Sequence, residues 1–107
     1  MAQSGFVKVA DVGELAAGDV KVVEVGPDQI LLVNVDGTIY ALDDICSHAY
    51  ASLSEGDLAG EEIECPLHGS AFNVITGEAL TPPADENVRT FEVRIDGQDV
   101  LLGPAKS

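Results

Sequence analysis

The chain has 107 residues, of which 46% are apolar, and its five basic and nineteen acidic side chains give a formal net charge of −14. This size and composition predict one folded globular domain and argue against a disordered chain. The negative charge argues against nucleic acid or an anionic membrane as a partner. It is compatible with a basic protein surface as a partner, and equally with an acidic surface that only keeps the protein soluble.

The first part of the chain is predicted to form four short strands. Apolar stretches separated by turn residues place them at residues 6–10, 20–25, 30–35 and 38–42. Residues 11–18 are typical of a turn or a short helical piece, and Asp36-Gly37 predicts a tight hairpin between the third and fourth strands. Neither a long amphipathic helix pattern nor an internal repeat is found in the sequence.

The middle of the chain, about residues 43–84, is predicted to be a smaller subdomain inserted into this sheet. Residues 53–60 are rich in turn formers, and 104–107 look like a frayed tail. Further strands are predicted at residues 62–65, 71–75, 89–95 and 100–102. The sequence therefore predicts an all-β sandwich or barrel that forms a single domain over residues 1–107, with the inserted subdomain inside it.

The start of the chain gives an expectation about location. Residues 1–5 are polar, and no charged-then-apolar export signal follows them. The longest apolar run, around residues 30–33, is far shorter than the roughly 20 residues of a membrane-spanning helix. We therefore expect a cytoplasmic protein without its own membrane anchor.

The two Cys and two His of the chain form two matched pairs. The first is Cys46-Ser47-His48, and the second lies in Cys65-Pro66-Leu67-His68-Gly69. Each pair falls in a predicted loop at the end of a strand, so a hairpin that joins the loops would make a four-ligand metal site. Three other interpretations remain open: a structural zinc site, a disulfide between the two cysteines, and a fold relative that has lost its metal.

This spacing resembles the Rieske [2Fe-2S] family. The resemblance covers residues 6–102 and is sharpest over 46–48 and 65–72. It implies one [2Fe-2S] cluster, with Cys46 and Cys65 on one iron and His48 and His68 on the other. Two neutral imidazoles in place of two thiolates make reduction easier, which is why such clusters have potentials of about −150 to +300 mV against about −400 mV for plant-type clusters.

The residues around the motif indicate which branch of the family the chain resembles. High-potential members carry two further cysteines at the positions of Ala51 and Leu67, and a tyrosine at the position of Phe72. Here Ser70 keeps the family's serine, whereas Phe72 lacks the hydroxyl that would donate to sulfur, so a potential in the lower part of the range is expected. This pattern resembles the soluble ferredoxins of multicomponent ring-hydroxylating oxygenases. Asn73 departs from the Asp often found there.

The resemblance also implies how the cluster is covered and reached. Gly69 is expected to form the tight turn after His68. Pro82 and Pro83 match a proline-bearing loop that covers the cluster in this family. An uncharged collar around the histidines would suit brief docking of a redox partner, and its members include Tyr50, Leu67, Pro82 and Pro83.

The function that we expect is that of a small monomeric one-electron carrier. It would take electrons from an NAD(P)H-dependent flavoprotein reductase and deliver them to a terminal oxygenase of the aromatic-ring dioxygenase type, which has its own Rieske centre and serves aromatic hydrocarbon catabolism. No nucleophile–base pair or phosphate-binding loop is found, so the chain is not expected to be an enzyme itself. The alternatives are a small Rieske-like subunit of a stable complex such as nitrite reductase and a structural zinc module.

Overall fold

The computed structural model describes residues 5–45, 52–66, 70–81 and 86–106, which form nine strands and two short 3₁₀ turns. The predicted all-β fold is thereby confirmed. The strands are β1 (Val7–Asp11), β2 (Val20–Val25), β3 (Asp28–Val35), β4 (Thr38–Asp43), β5 (Asp57–Ala59), β6 (Glu62–Glu64), β7 (Ala71–Asn73), β8 (Thr90–Asp96) and β9 (Asp99–Ala105). The 3₁₀ turns cover Val12–Glu14 and Leu53–Glu55. None of the helical segments in these ranges is long and apolar enough to cross a membrane.

The strands form two antiparallel sheets. The larger sheet has the order β1-β9-β8-β4-β3-β2, and its two edge strands approach each other, so that it is a nearly closed barrel. The smaller sheet has the order β5-β6-β7. Its three strands lie in the sequence between β4 and β8, which pair directly through Ala41–Phe91 and Leu42–Thr90. The chain therefore leaves the barrel for the small sheet and returns to it at one place.

The hairpin between β3 and β4 follows the prediction from Asp36-Gly37. Asp36 has φ of 53° and Gly37 has φ of 95°. A two-residue turn with positive φ at both positions matches the right-handed twist of the paired strands, and Asp and Gly are the residues that tolerate it. The turn sets the register in which Val35 faces Thr38 and Leu31 faces Leu42.

Strand β3 is buried on both of its faces, which explains its unbroken apolar run. Leu31 and Val33 belong to one core, whereas Ile30 and Leu32 belong to the other. The first core joins the barrel to the small sheet through residues such as Leu53, Ile63, Cys65, Phe72 and Val74. The second core fills the barrel. Because side chains alternate along a strand, β3 joins the two layers and fixes the position of the small sheet.

Two local expectations are wrong. Residues 57–60 were expected to be turn, yet Asp57–Ala59 is strand β5, because Leu58 pairs opposite Ile63 of β6. The tail at residues 104–107 was expected to be frayed, yet β9 continues to Ala105, which pairs with Phe91. The backbone N–H of Lys106 also donates to the carbonyl of Thr90 at 2.8 Å.

Candidate metal centre

Of the four predicted cluster ligands, the structure describes Cys65. Cys46, His48 and His68 lie outside the described residues, and so do four of the predicted covering or docking residues and the predicted turn glycine. These five are Tyr50, Leu67, Gly69, Pro82 and Pro83. The described residues on either side of each gap show how the three segments are anchored.

Cys65 comes directly after β6, at the start of the second predicted ligand loop. Its backbone N–H donates to the carbonyl of Ser70 at 2.6 Å, so the residues between them form a loop closed at its base. Its thiol is free and almost completely buried, in the apolar core that joins the two sheets. The thiol of Cys65 therefore lies at the end of a strand that is held in the core.

Ser70 and Phe72 occupy the positions that the resemblance singled out beside the cluster. Ser70 is fully buried where the second loop enters β7. Phe72 lies directly opposite Ile63 on β6, and its ring is fully buried in the same core as Cys65. The structure thus places a buried hydroxyl and a buried aromatic ring close to the one described ligand.

The first ligand loop, residues 46–51, is closed by an antiparallel bridge between Ile45 and Ser52. Leu53, the next residue, is fully buried and belongs to the same core as Cys65. Beyond it, Gly56 lies so close to β6 that a Cβ would meet the carbonyl oxygen of Glu64 at 1.7 Å. Glycine, which has no Cβ, permits this close approach, and the contact holds the ends of both predicted ligand loops together.

The third segment, residues 82–85, is anchored to the second loop at its start. The backbone N–H of Ala71 donates to the Oγ1 of Thr81 at 2.8 Å, and the N–H of Leu80 donates to the carbonyl of Ala71 at 2.8 Å. Ala71 follows Ser70 in the chain. The segment that contains Pro82 and Pro83 therefore begins beside the second ligand loop.

An ion pair joins the far end of the third segment to the start of the first loop. Arg89 donates from Nε to Asp43 Oδ2 at 3.0 Å and from Nη2 to Asp43 Oδ1 at 2.8 Å, and Nη2 also reaches Asp28 Oδ1 at 3.2 Å. The hydrogen bonds from its guanidinium to Asp43 and Asp28 raise the pKa of Arg89 above its usual range. The flanks of all three segments are thus linked to one another.

Asn73 has a local structural task that accounts for its presence. Its Oδ1 accepts the backbone N–H of Ile75 at 2.8 Å and that of Thr76 at 3.1 Å. A side-chain acceptor in this position closes the turn after β7. Because a carboxylate oxygen would accept the same two bonds, the departure from Asp leaves this turn unchanged.

The donor chemistry fits an iron–sulfur cluster. Cysteine thiolates are the usual ligands of such clusters, and histidine replaces two of them in the Rieske type. A buried cysteine in a loop closed at its base, beside a buried hydroxyl, is the environment in which a ligand can be held in place. Three of the predicted ligands fall outside the described ranges, and within those ranges no group of three or more Cys, His, Asp or Glu side chains is placed to hold a metal ion.

Comparison with known proteins gives a consistent result. The family model described as "Rieske [2Fe-2S] domain" matches residues 5–92, a span that includes both Cys–His pairs. The ferredoxin component of a naphthalene 1,2-dioxygenase system from Pseudomonas aeruginosa is 46% identical over 89 residues, which cover 83% of this chain and 86% of the relative. The ferredoxin component of a biphenyl 2,3-dioxygenase from Rhodococcus jostii is 45% identical over 97 residues, or 91% of both chains.

Solved structures agree with the sequence relatives. The ferredoxin of carbazole 1,9a-dioxygenase from Nocardioides aromaticivorans has a TM-score of 0.88 and is 37% identical, with 92% of this chain and 97% of that chain covered. A chain from a complex of reduced oxygenase and oxidised ferredoxin in carbazole 1,9a-dioxygenase has a TM-score of 0.91 and is 36% identical, with 98% of this chain and 99% of that chain covered.

Proposed function

Since this chain belongs to the family of Rieske [2Fe-2S] domains, we propose that it is the ferredoxin of a ring-hydroxylating dioxygenase system. It is an electron-transfer protein and not itself a catalytic enzyme, and its cofactor is a Rieske-type [2Fe-2S] cluster. When bound, that cluster accepts and releases one electron at a time. The single observation that carries the proposal is the family match over residues 5–92, which contains an intact Cys-x-His and Cys-x-x-His pair.

Four residues of this chain would bind the cluster, two on each iron. We propose Cys46 and Cys65 as the ligands of one iron and His48 and His68 as the ligands of the other, within a cluster-binding subdomain at about residues 43–84. The buried position of Cys65 and the closed base of its loop support this assignment, because a ligand held on a rigid strand end keeps its geometry in both redox states.

The partners follow from the relatives, which are named as ferredoxin components of dioxygenase systems. An NAD(P)H-dependent flavoprotein reductase would donate the electron, and a terminal oxygenase with its own Rieske centre would receive it. A monomer suits this role, because a carrier must leave one partner before it meets the next. We also place the protein in the cytoplasm, where the NAD(P)H that feeds the reductase is available.

A visible absorption spectrum of anaerobically purified protein, before and after reduction, tests this function, with iron and acid-labile sulfide counted on the same sample. We expect a red-brown protein that bleaches partly on reduction and contains two irons and two sulfides per chain, as a [2Fe-2S] cluster requires. A colourless protein with stoichiometric zinc and no sulfide would overturn the proposal and favour a structural metal site.

The ligand assignment is tested by His68→Cys. Replacing a neutral imidazole by a thiolate adds negative charge, so the variant should have a lower reduction potential or lose its cluster. Thr38→Cys, which introduces the same side chain at an exposed position beside the β3–β4 turn, serves as the control and should keep the spectrum. An unchanged spectrum and potential in His68→Cys would contradict the assignment.

A further inference from the structure

A buried carboxylate lies at the start of the first ligand loop. Asp44 is fully buried, and the side-chain amide of Gln29 donates from Nε2 to its Oδ2 at 2.5 Å. The backbone N–H of Ser54 donates to its Oδ1 at 2.9 Å. Both of these donors are neutral, and a buried carboxylate loses more hydration energy than an amide or apolar side chain would. The side chain of Asp44 therefore contacts both β3, through Gln29, and the residues that follow the first loop, through Ser54.

The backbone of Asp44 is tied in two directions as well. Its N–H donates to the carbonyl of Gln29 on β3 at 3.0 Å, and its carbonyl accepts the N–H of Leu53 at 2.6 Å. Asp44 therefore joins the barrel strand before the loop to the residues that follow the loop. Both connections are made by a residue that comes directly before the Ile45–Ser52 bridge.

The amide of Gln29 completes this link. Its Nε2 donates to Asp44 on the entering side of segment 46–51 and to Ser52 Oγ on the leaving side, at 3.3 Å. One side chain of β3 thus bridges the two ends of a six-residue segment. Because a loop's course is set largely by where its ends are held, fixing both ends narrows the conformations open to the residues between them.

We propose that Asp44, through Gln29 and Ser54, is a positioning residue for the first ligand loop. It holds both ends of segment 46–51 so that Cys46 and His48 are presented in a fixed register to the cluster. This inference rests on the ligand set proposed above. Hydrogen bonds that orient metal-bearing segments commonly affect metal affinity about 10–100-fold when they are removed.

The chain offers a matched control at the other end of β3. Asn34 is also buried, and its side chain makes two hydrogen bonds. Its Nδ2 donates to the carbonyl of Leu15 at 2.8 Å, and its Oδ1 accepts from the backbone N–H of Gly37 at 2.7 Å. At about 3.3 Å per residue, it lies roughly 17 Å along the strand from Gln29. Asn34→Ala therefore removes a similar buried network far from the ligand loops.

The experiment compares Asp44→Ala, Asp44→Asn and Asn34→Ala in the cluster-loaded protein. The measurements are the midpoint of urea unfolding, the electron paramagnetic resonance spectrum of the reduced protein, and the rate of iron release to a chelator. We expect Asp44→Ala to release iron about 10-fold faster or more and to shift the resonance spectrum. Asp44→Asn should restore both, because the Gln29 amide can turn and accept from the new amide. Asn34→Ala should lose stability with an unshifted spectrum.

Several results would overturn the inference. In the first, Asp44→Ala releases iron no faster than expected from its loss of stability alone, as calibrated with Asn34→Ala, and its resonance spectrum is unshifted. Another is an Asp44→Asn variant that behaves like Asp44→Ala, which would exclude the hydrogen-bonded link as the cause. If Asp44→Ala does not fold, Gln29→Ala breaks the same link, and its failure to change release and spectrum would have the same meaning.

The wild-type protein separates this inference from the proposed function. Wild-type protein that holds no iron and sulfide would refute the proposed function and this inference with it. Wild-type protein that holds a normal cluster, together with an Asp44→Ala cluster of the same spectrum and stability, would refute the role of Asp44 alone.

Discussion

Phe72 is one of the residues at which this chain is expected to differ from high-potential relatives. Its ring is fully buried in the core that contains Cys65. We predict that Phe72→Tyr raises the reduction potential, because a hydroxyl that donates to a cluster sulfur stabilises the reduced state. Protein-film voltammetry of both forms measures this. A hydroxyl that finds no partner would leave the potential unchanged and lower the stability by about 1–3 kcal/mol, which would contradict the prediction.

Single residues also show which roles can be predicted from the sequence and which cannot. The candidate ligands, Cys65 among them, were recognisable from the sequence because the two Cys–His pairs are local patterns that few chains share. The role of Asn73 was not, because an acceptor for the N–H groups of Ile75 and Thr76 is recognised only once the turn is seen. The role of Asp44 was not recognisable either. Its link to Gln29 joins residues fifteen positions apart, a contact that no local pattern encodes.

At the scale of elements, Arg89 joins β4 to the segment that leads into β8. Its fork-like contact with Asp43 is exposed on the arginine side, so its contribution is modest. We predict that Arg89→Lys lowers the free energy of unfolding by up to about 1 kcal/mol, because lysine cannot form the paired bonds. Urea unfolding of the loaded protein measures this.

Asp28→Asn is the control for the arginine, since it weakens only the single contact with Asp28. Asp28→Asn should lower the free energy of unfolding clearly less than Arg89→Lys does. Equal losses in the two variants would mean that the Asp28 contact, and not the paired bonds with Asp43, supplies the stabilisation.

Two elements differ from expectation for reasons outside local sequence preference. Strand β5 contains Asp and is followed by Gly, which are residues typical of turns, but pairing with β6 overrides that preference. Strand β9 continues through Pro104, which lacks a backbone N–H. It is tolerated because the register of β8 and β9 shifts between Phe91 and Val93, which leaves an irregular stretch where a donor is not required. Strands β2, β3 and β4 lie close to their predicted ranges, because there the hydrophobic pattern and the turn residues agree.

For the whole molecule, charge is distributed very unevenly along the chain. Residues 22–88 contain no Lys or Arg and thirteen of the nineteen acidic residues. In the small sheet, Asp57 lies directly opposite Glu64, and like charges in such pairs are destabilising. The folded protein is therefore expected to contain net electrostatic repulsion.

We predict that sodium chloride raises the melting temperature of the oxidised, loaded protein, because the screening length falls from about 30 Å at 0.01 M to about 10 Å at 0.1 M. Glu64→Gln should be more stable at low salt and should show a smaller rise. Differential scanning calorimetry at several salt concentrations measures both. A melting temperature that falls with salt would mean that ion pairs such as those of Lys8 and Arg89 outweigh the repulsion.

The direct pairing of β4 with β8 has a consequence for how such a protein can change over time. Asp43 and Arg89 are neighbours in space although they are 46 positions apart in the sequence. The chain between them therefore leaves the barrel and re-enters it at the same place. Each doubling of the length of a flexible connection raises the free energy of closing it by only about 0.6 kcal/mol. The intervening stretch can therefore be lengthened, or exchanged between barrels as one unit, provided that the recipient supplies both the apolar side chains of β3 that share its core, Leu31 and Val33, and a glutamine at the place of Gln29.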